Sequence, residues 1–196
     1  PFHKPTIPKD FNVLISDSIN NGWLTTGPEV KIFEKILSDF TSSENIIAVN
    51  SCTAALHLAL QAAGLGPGDE VLVQSLTYVA SFQAISATGA KPVACDVDAE
   101  TLCLDWKDAE KRITPNTKAV MPVHYAGGVG ALNQIYAFAE KYGLRVIEDA
   151  AHAFLGKYKN SFLGTLGDFG AFSFHETKNF IAGQGGALSI NNKKFI

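Results

Sequence analysis

The sequence predicts an α/β domain, a mostly parallel sheet with helices on both faces, and three observations predict it. Short runs rich in Val, Ile and Ala alternate with longer amphipathic stretches between residues 30 and 149, the pattern of strands joined by helical crossovers. Runs such as Ile46-Ile47-Ala48-Val49 and Val71-Leu72-Val73-Gln74 offer apolar residues to both faces, as strands covered on two sides do. Turn chemistry such as Leu65-Gly66-Pro67-Gly68-Asp69-Glu70 separates the two kinds of segment.

Composition narrows the class of partner. With 196 residues, 46% hydrophobic and 18% charged, the chain can bury one good-sized core, which argues against disorder and coiled coil. A net charge of -3 without a like-charge run gives no footprint for nucleic acid or an anionic membrane, so a small-molecule partner fits better. Cys52, Cys95 and Cys103 are odd in number and lack metal-ligand spacing; neither a disulfide framework nor a metal site is indicated, and a reduced, cytoplasmic setting is expected. No apolar run approaches the ~18 residues of a membrane span, and Pro1-Phe2-His3-Lys4-Pro5 does not form a signal peptide.

Residues 1–20 read as an N-terminal arm and short helix. Three prolines in the first twelve residues suggest extended chain, and Phe11, Val13, Leu14, Ile15 and Ile19 can share one helical side, ended by Asn21-Gly22. Residues 21–196 read as the large domain. Thr25-Thr26-Gly27-Pro28 is turn chemistry, in which the threonines could simply cap the amphipathic helix carrying Val30, Ile32, Phe33, Ile36, Leu37 and Phe40. After the strand at 46–49, Asn50-Ser51-Cys52-Thr53 opens a helix from Ala54 to Ala63. Its free N–H groups and dipole make the junction either an anion site or a plain Ser/Thr cap.

Thr77-Tyr78-Val79-Ala80 follows the strand at 71–74, where the Tyr78 ring can pack in the core or lie against a flat ligand. A helix at 81–88, a strand at 92–97, a helical region around 106–113, a buried strand at 118–125, a helix at 132–142 and a strand at 144–149 continue the alternation. His124 is either a satisfied core histidine or a pocket residue. The run Gly127-Gly128-Val129-Gly130 hints at a dinucleotide loop, but Asn133 stands where its third glycine belongs. Glu148 and Asp149 end their strand side by side and must point to opposite faces, so only one can meet a ligand beyond the strand end.

The last buried strand, Phe169 to Phe174, delivers Ser173, His175, Glu176 and Lys178 at its far end, and the flexible loop Ile181-Ala182-Gly183-Gln184-Gly185-Gly186 precedes a strand at 187–190. That segment, together with Asn21-Gly22-Trp23-Leu24-Thr25-Thr26-Gly27-Pro28-Glu29-Val30 and Val146-Ile147-Glu148-Asp149-Ala150-Ala151-His152-Ala153, resembles the DegT/DnrJ/EryC1/StrS sugar aminotransferases, pyridoxal-phosphate enzymes of fold type I. The resemblance runs in order from about residue 20 to 190. It implies the three-layer large domain of that fold, with the C-terminal small domain absent, and a fragment of a homodimeric enzyme.

It also implies roles. Lys178 would hold pyridoxal 5'-phosphate as a covalent imine and shuttle a proton; Asp149 would keep the pyridine nitrogen protonated; Ser51, Cys52, Thr53 and Ser173 would hold the phosphate; Tyr78 and His152 would sandwich the ring; Thr25, Thr26 and His175 would meet substrate. The substrate class implied is a keto sugar nucleotide, with glutamate as amine donor. His175-Glu176-Thr177 and Pro122-Val123-His124-Tyr125-Ala126-Gly127 are similar to the subgroup that makes dTDP-4-amino-4,6-dideoxygalactose, while Trp23-Leu24-Thr25-Thr26-Gly27 follows the wider family. In the family's dehydratase branch a histidine replaces the lysine, so Lys178 argues against that activity, and a nicotinamide-dependent oxidoreductase rests only on the defective glycine run.

Overall fold

The computed structural model describes residues 6–196; the part of the expected arm at residues 1–5 lies outside them. Helix α1 (Phe11–Asn20) and helix α2 (Pro28–Thr41) lead into strand β1 (Ile46–Val49), helix α3 (Cys52–Ala62), strand β2 (Glu70–Gln74), helix α4 (Ala80–Ala87) and strand β3 (Lys91–Cys95). Then follow helix α5 (Trp106–Lys111), strand β4 (Thr117–Met121), helix α6 (Leu132–Tyr142), strand β5 (Arg145–Asp149), the small hairpin of β6 (Lys157–Tyr158) and β7 (Ser161–Phe162), and strands β8 (Phe169–Ser173) and β9 (Gly186–Ile190). The expected elements are all present within a few residues of their expected limits. The β6–β7 hairpin was not legible.

Seven strands form one sheet in the order β1-β9-β8-β5-β4-β2-β3. Every neighbouring pair is parallel except the two that involve β9, which runs against both β1 and β8. Strand alternation sorts the core into two layers. Val71, Val73, Ala119, Met121, Ile147, Phe169 and Ala171 pack with Leu56, Leu60, Ala84 and Ile85 of α3 and α4. On the other face Leu72, Val120 and Val146 meet Ala109, Ile135, Phe138 and Ala139 of α5 and α6, while Phe172 and Phe174 meet Leu37 of α2. Sheet and two helical layers give the three-layer architecture expected.

Strand β1 departs from expectation. Its apolar residues suggested a parallel strand covered on both faces, yet it is the sheet's edge, paired antiparallel with β9, and Ile47 is 46% exposed. The helix α1 is more exposed still and buries no residue. The last residues form a 3-10 turn at Lys193–Phe195, whose Phe195 ring packs on Phe169.

Candidate active site

All strands of the sheet except β9 point the same way, and the segments that follow β1, β2, β4, β5 and β8 converge on one cavity of about 730 Å³. Ser51, Cys52 and Thr53 come after β1, Leu76 to Tyr78 after β2, Val123 and Tyr125 after β4, Asp149 to His152 from the end of β5, and Ser173, His175, Thr177 and Lys178 from the end of β8. Because β9 runs the other way, its start lies on this rim and adds Gln184 and Gly185. Nine of the expected site residues therefore share one cavity: Ser51, Cys52, Thr53, Tyr78, Asp149, His152, Ser173, His175 and Lys178. Thr25 and Thr26 do not line it. They are exposed, and they do not cap α2 either, whose N-cap is Gly27 packed against the Trp23 ring.

The cradle at α3 begins with Ser51, whose hydroxyl accepts from Ala54 N at 3.1 Å and so caps the helix. Capping leaves the amides of Cys52 and Thr53 without an intrahelical acceptor, as in any first turn. Gly186 lets this turn come close, because a Cβ there would collide with the backbone of Ser51 and Cys52. Cys52 itself is buried; desolvation, and after it the Asp149 carboxylate, push its thiol well above the ordinary range against the pull of Lys178. It is a packing residue with an inert thiol.

The tandem carboxylates separate as strand geometry demands. Asp149 faces the cavity, and its oxygens accept from Ser81 Oγ at 2.7 Å and Ala151 N at 3.1 Å. Glu148 points the other way, fully buried, accepting from His124 Nε2 at 2.8 Å and from the amides of Gly164, Leu166 and Gly167 at 2.9, 2.7 and 2.6 Å. His124 is thus a core histidine, 1% exposed, with its Nδ1 on Gly128 O.

Tyr78 is 71% exposed, which settles its choice between core and ligand face in favour of the rim. His152 takes the Ala126 N–H at Nδ1, so its neutral ring carries the proton on Nε2. Burial first, and the Lys178 charge second, hold its pKa below the usual histidine range.

Lys178 sits in a turn between β8 and β9, partly buried, its N–H on His175 O at 2.9 Å. The following loop is braced rather than free: Phe174 N bonds Gly185 O, Ala182 N bonds Phe174 O and Glu176 N bonds Gly183 O, while Asn179 Nδ2 donates to Phe154 O at 2.7 Å. Phe180 packs on Phe154 and Phe174. The backbone that carries Lys178 is thus held at the cavity by its neighbours.

An anion cradle at a helix N-terminus, a carboxylate facing the cavity, an exposed aromatic and a neutral imidazole on its walls, and a braced lysine suit pyridoxal phosphate in each of its parts. Fold and site together define the large domain of a fold type I pyridoxal-phosphate enzyme. Comparison with known proteins places the chain within that class: it belongs to the DegT/DnrJ/EryC1/StrS aminotransferase family, whose model matches residues 5–196. It is 44% identical over 194 residues, 99% of its length, to the spore coat polysaccharide biosynthesis protein SpsC of Bacillus subtilis (strain 168), of which it covers 50%.

Among solved structures it is similar to Spr1654 from Streptococcus pneumoniae, provisionally named a sugar aminotransferase, in the PLP-form (TM-score 0.94, 36% identity, 100% of this chain and 54% of that one). It is similar too to the aminotransferase from Psychrobacter cryohalolentis (TM-score 0.94, 34% identity, 100% and 50%). The chain thus spans about half the length of these relatives. Its cofactor is pyridoxal phosphate, seen in PLP and PMP forms of Spr1654. No helix among the described residues is long and apolar enough to cross a membrane, and they contain no cluster of metal-ligating side chains. Thr77, Ser81 and Gln184 belong to the site or its support and were missed from sequence, since hydroxyl and amide residues in turns carry no distinguishing pattern.

Proposed function

We propose that the chain is the cofactor-binding half of an aminotransferase that moves an amino group, from glutamate, onto a keto-deoxy sugar nucleotide, dTDP-4-keto-6-deoxyglucose, for polysaccharide biosynthesis. The observation that carries the reading is the meeting of Lys178 and Asp149 in one cavity with the α3 cradle. Bound there, pyridoxal phosphate supplies an electron sink for a carbon that loses and regains a proton. Lys178 anchors it and moves that proton; Asp149 holds the proton on the pyridine nitrogen; the α3 amides with Thr53 and Ser173 take the phosphate; Tyr78 and His152 flank the ring.

The sugar assignment is supported by the polysaccharide name of SpsC and by the His175-Glu176-Thr177 variant, with His175 on the cavity wall. Thr25 and Thr26, outside the cavity, would reach only the outer part of a substrate. A second copy of the chain is the proposed partner, supported by the exposed apolar side chains of α1. The oxidoreductase reading loses its one support, because Gly128 and Gly130 serve packing: a Cβ at either would strike Cys103.

Borohydride reduction of the intact enzyme with its cofactor, followed by peptide mass spectrometry, should place the label on Lys178. Lys178→Ala should abolish the label and lower the transfer rate by roughly 10³-fold or more. A label on Lys157 or Lys159 would overturn the assignment.

A further inference from the structure

Asp149 is served by a hydroxyl chain that none of the expected roles includes. Ser81, in the first turn of α4, is fully buried and 2.7 Å from Asp149 Oδ2, while Thr77 Oγ1 lies 2.8 Å from Ser81 Oγ. The direction of the two bonds follows from their end. A carboxylate only accepts, so the single Ser81 hydrogen goes to Asp149 rather than to Tyr78 O at 3.3 Å, and Ser81 Oγ is left to accept from Thr77. With Ala151 N on Oδ1, both oxygens are gripped from the protein side. The carboxylate cannot turn without giving up the 2.7 Å bond from a buried hydroxyl, whose other backbone acceptor, Tyr78 O, lies farther away at 3.3 Å.

The geometry points to Ser81, with Thr77 behind it, as the positioning residue that fixes Asp149 for the cofactor's pyridine nitrogen. Thr77 is also a cavity residue and directly precedes Tyr78, so the chain ties the loop carrying the aromatic to the carboxylate. Ring face and ring nitrogen are thereby held in one register. The inference rests on the proposed role of Asp149.

The intact protein, stripped of cofactor and titrated with pyridoxal phosphate by absorbance, tests it. Ser81→Ala should raise the dissociation constant about tenfold, the loss of one hydrogen bond to a charged acceptor. Thr77→Val should raise it about threefold, and Thr77→Ser should restore the wild-type value. In an Asp149→Asn background Ser81→Ala and Thr77→Val should each change the constant by less than about twofold, because the group they act through is gone. Wild-type affinity in Ser81→Ala, or an undiminished effect in the Asp149→Asn background, overturns the positioning role. Should Ser81→Ala fail to fold, Thr77→Val, at a partly buried residue, carries the same comparison. If borohydride does not label Lys178 in the wild type, the cofactor reading itself fails, which separates the two failures.

Discussion

Glu148 is a charge placed where no water reaches it, and its partners account for it. Burial works against its ionised form, but the His124 ring and the amides of Gly167 and Gly164 outweigh that and hold its pKa below the usual carboxylate range. A carboxyl whose pKa is depressed on folding contributes stability above its unfolded value of about 4.3, and that contribution is lost as pH falls through the folded value. Stability should therefore drop as pH falls below about 5, and Glu148→Gln should cost on the order of 3 kcal/mol at pH 7 while flattening that acid limb. Urea melts across the range read both effects; an unchanged acid limb in the variant would remove Glu148 from the account. The sequence showed that one of the two tandem carboxylates must turn away from the ligand. That His124 waits beneath it was not legible, since a histidine 24 positions earlier meets it only through the β4–β5 pairing.

At the level of elements, the contact of β9 with the start of α3 decides how well the anion cradle is formed. Gly186→Ala should destabilise the protein by about 2 kcal/mol, because backbone rather than a yielding side chain stands in the way of its Cβ. Cofactor affinity should fall with it, as the Ser51–Thr53 turn is pushed from its place. Paired thermal melts and cofactor titrations check this, and a wild-type melt would mean that the turn has room to move. Elements with a strong period were read well: α6 occupies Leu132–Tyr142 as expected, stopped by Gly143 in the left-handed region. The β6–β7 hairpin, two residues on each side, is too short to have a period, and the edge position of β1 depends on a partner strand far along the chain.

For the whole molecule, the unburied side chains of α1 set the expectation. Phe11, Val13, Leu14, Ile15 and Ile19 are each between 43% and 59% exposed, a concentration of apolar surface that favours association. The intact enzyme should sediment as a homodimer, and residues 1–196 alone should self-associate and turn over sugar nucleotide poorly. Sedimentation and steady-state assays on both decide it. A monomeric 196-residue piece with full activity would sink the shared site. Fold class was legible because periodicity survives in each strand and helix separately; association was not, because an amphipathic helix reads the same whether its own domain or a second copy covers it.

The antiparallel β9 has a consequence for how the protein is made. Val49 pairs with Gly186, so the turn after β1 and the lysine turn before β9 meet only when the last of the described strands has been added. A ribosome must release that strand before the phosphate cradle exists in finished form. Pairings so distant in sequence close slowly. During synthesis, then, β2 to β5 can assemble while the vitamin-derived group has nothing complete to bind, and cofactor capture waits until β9 has joined the sheet.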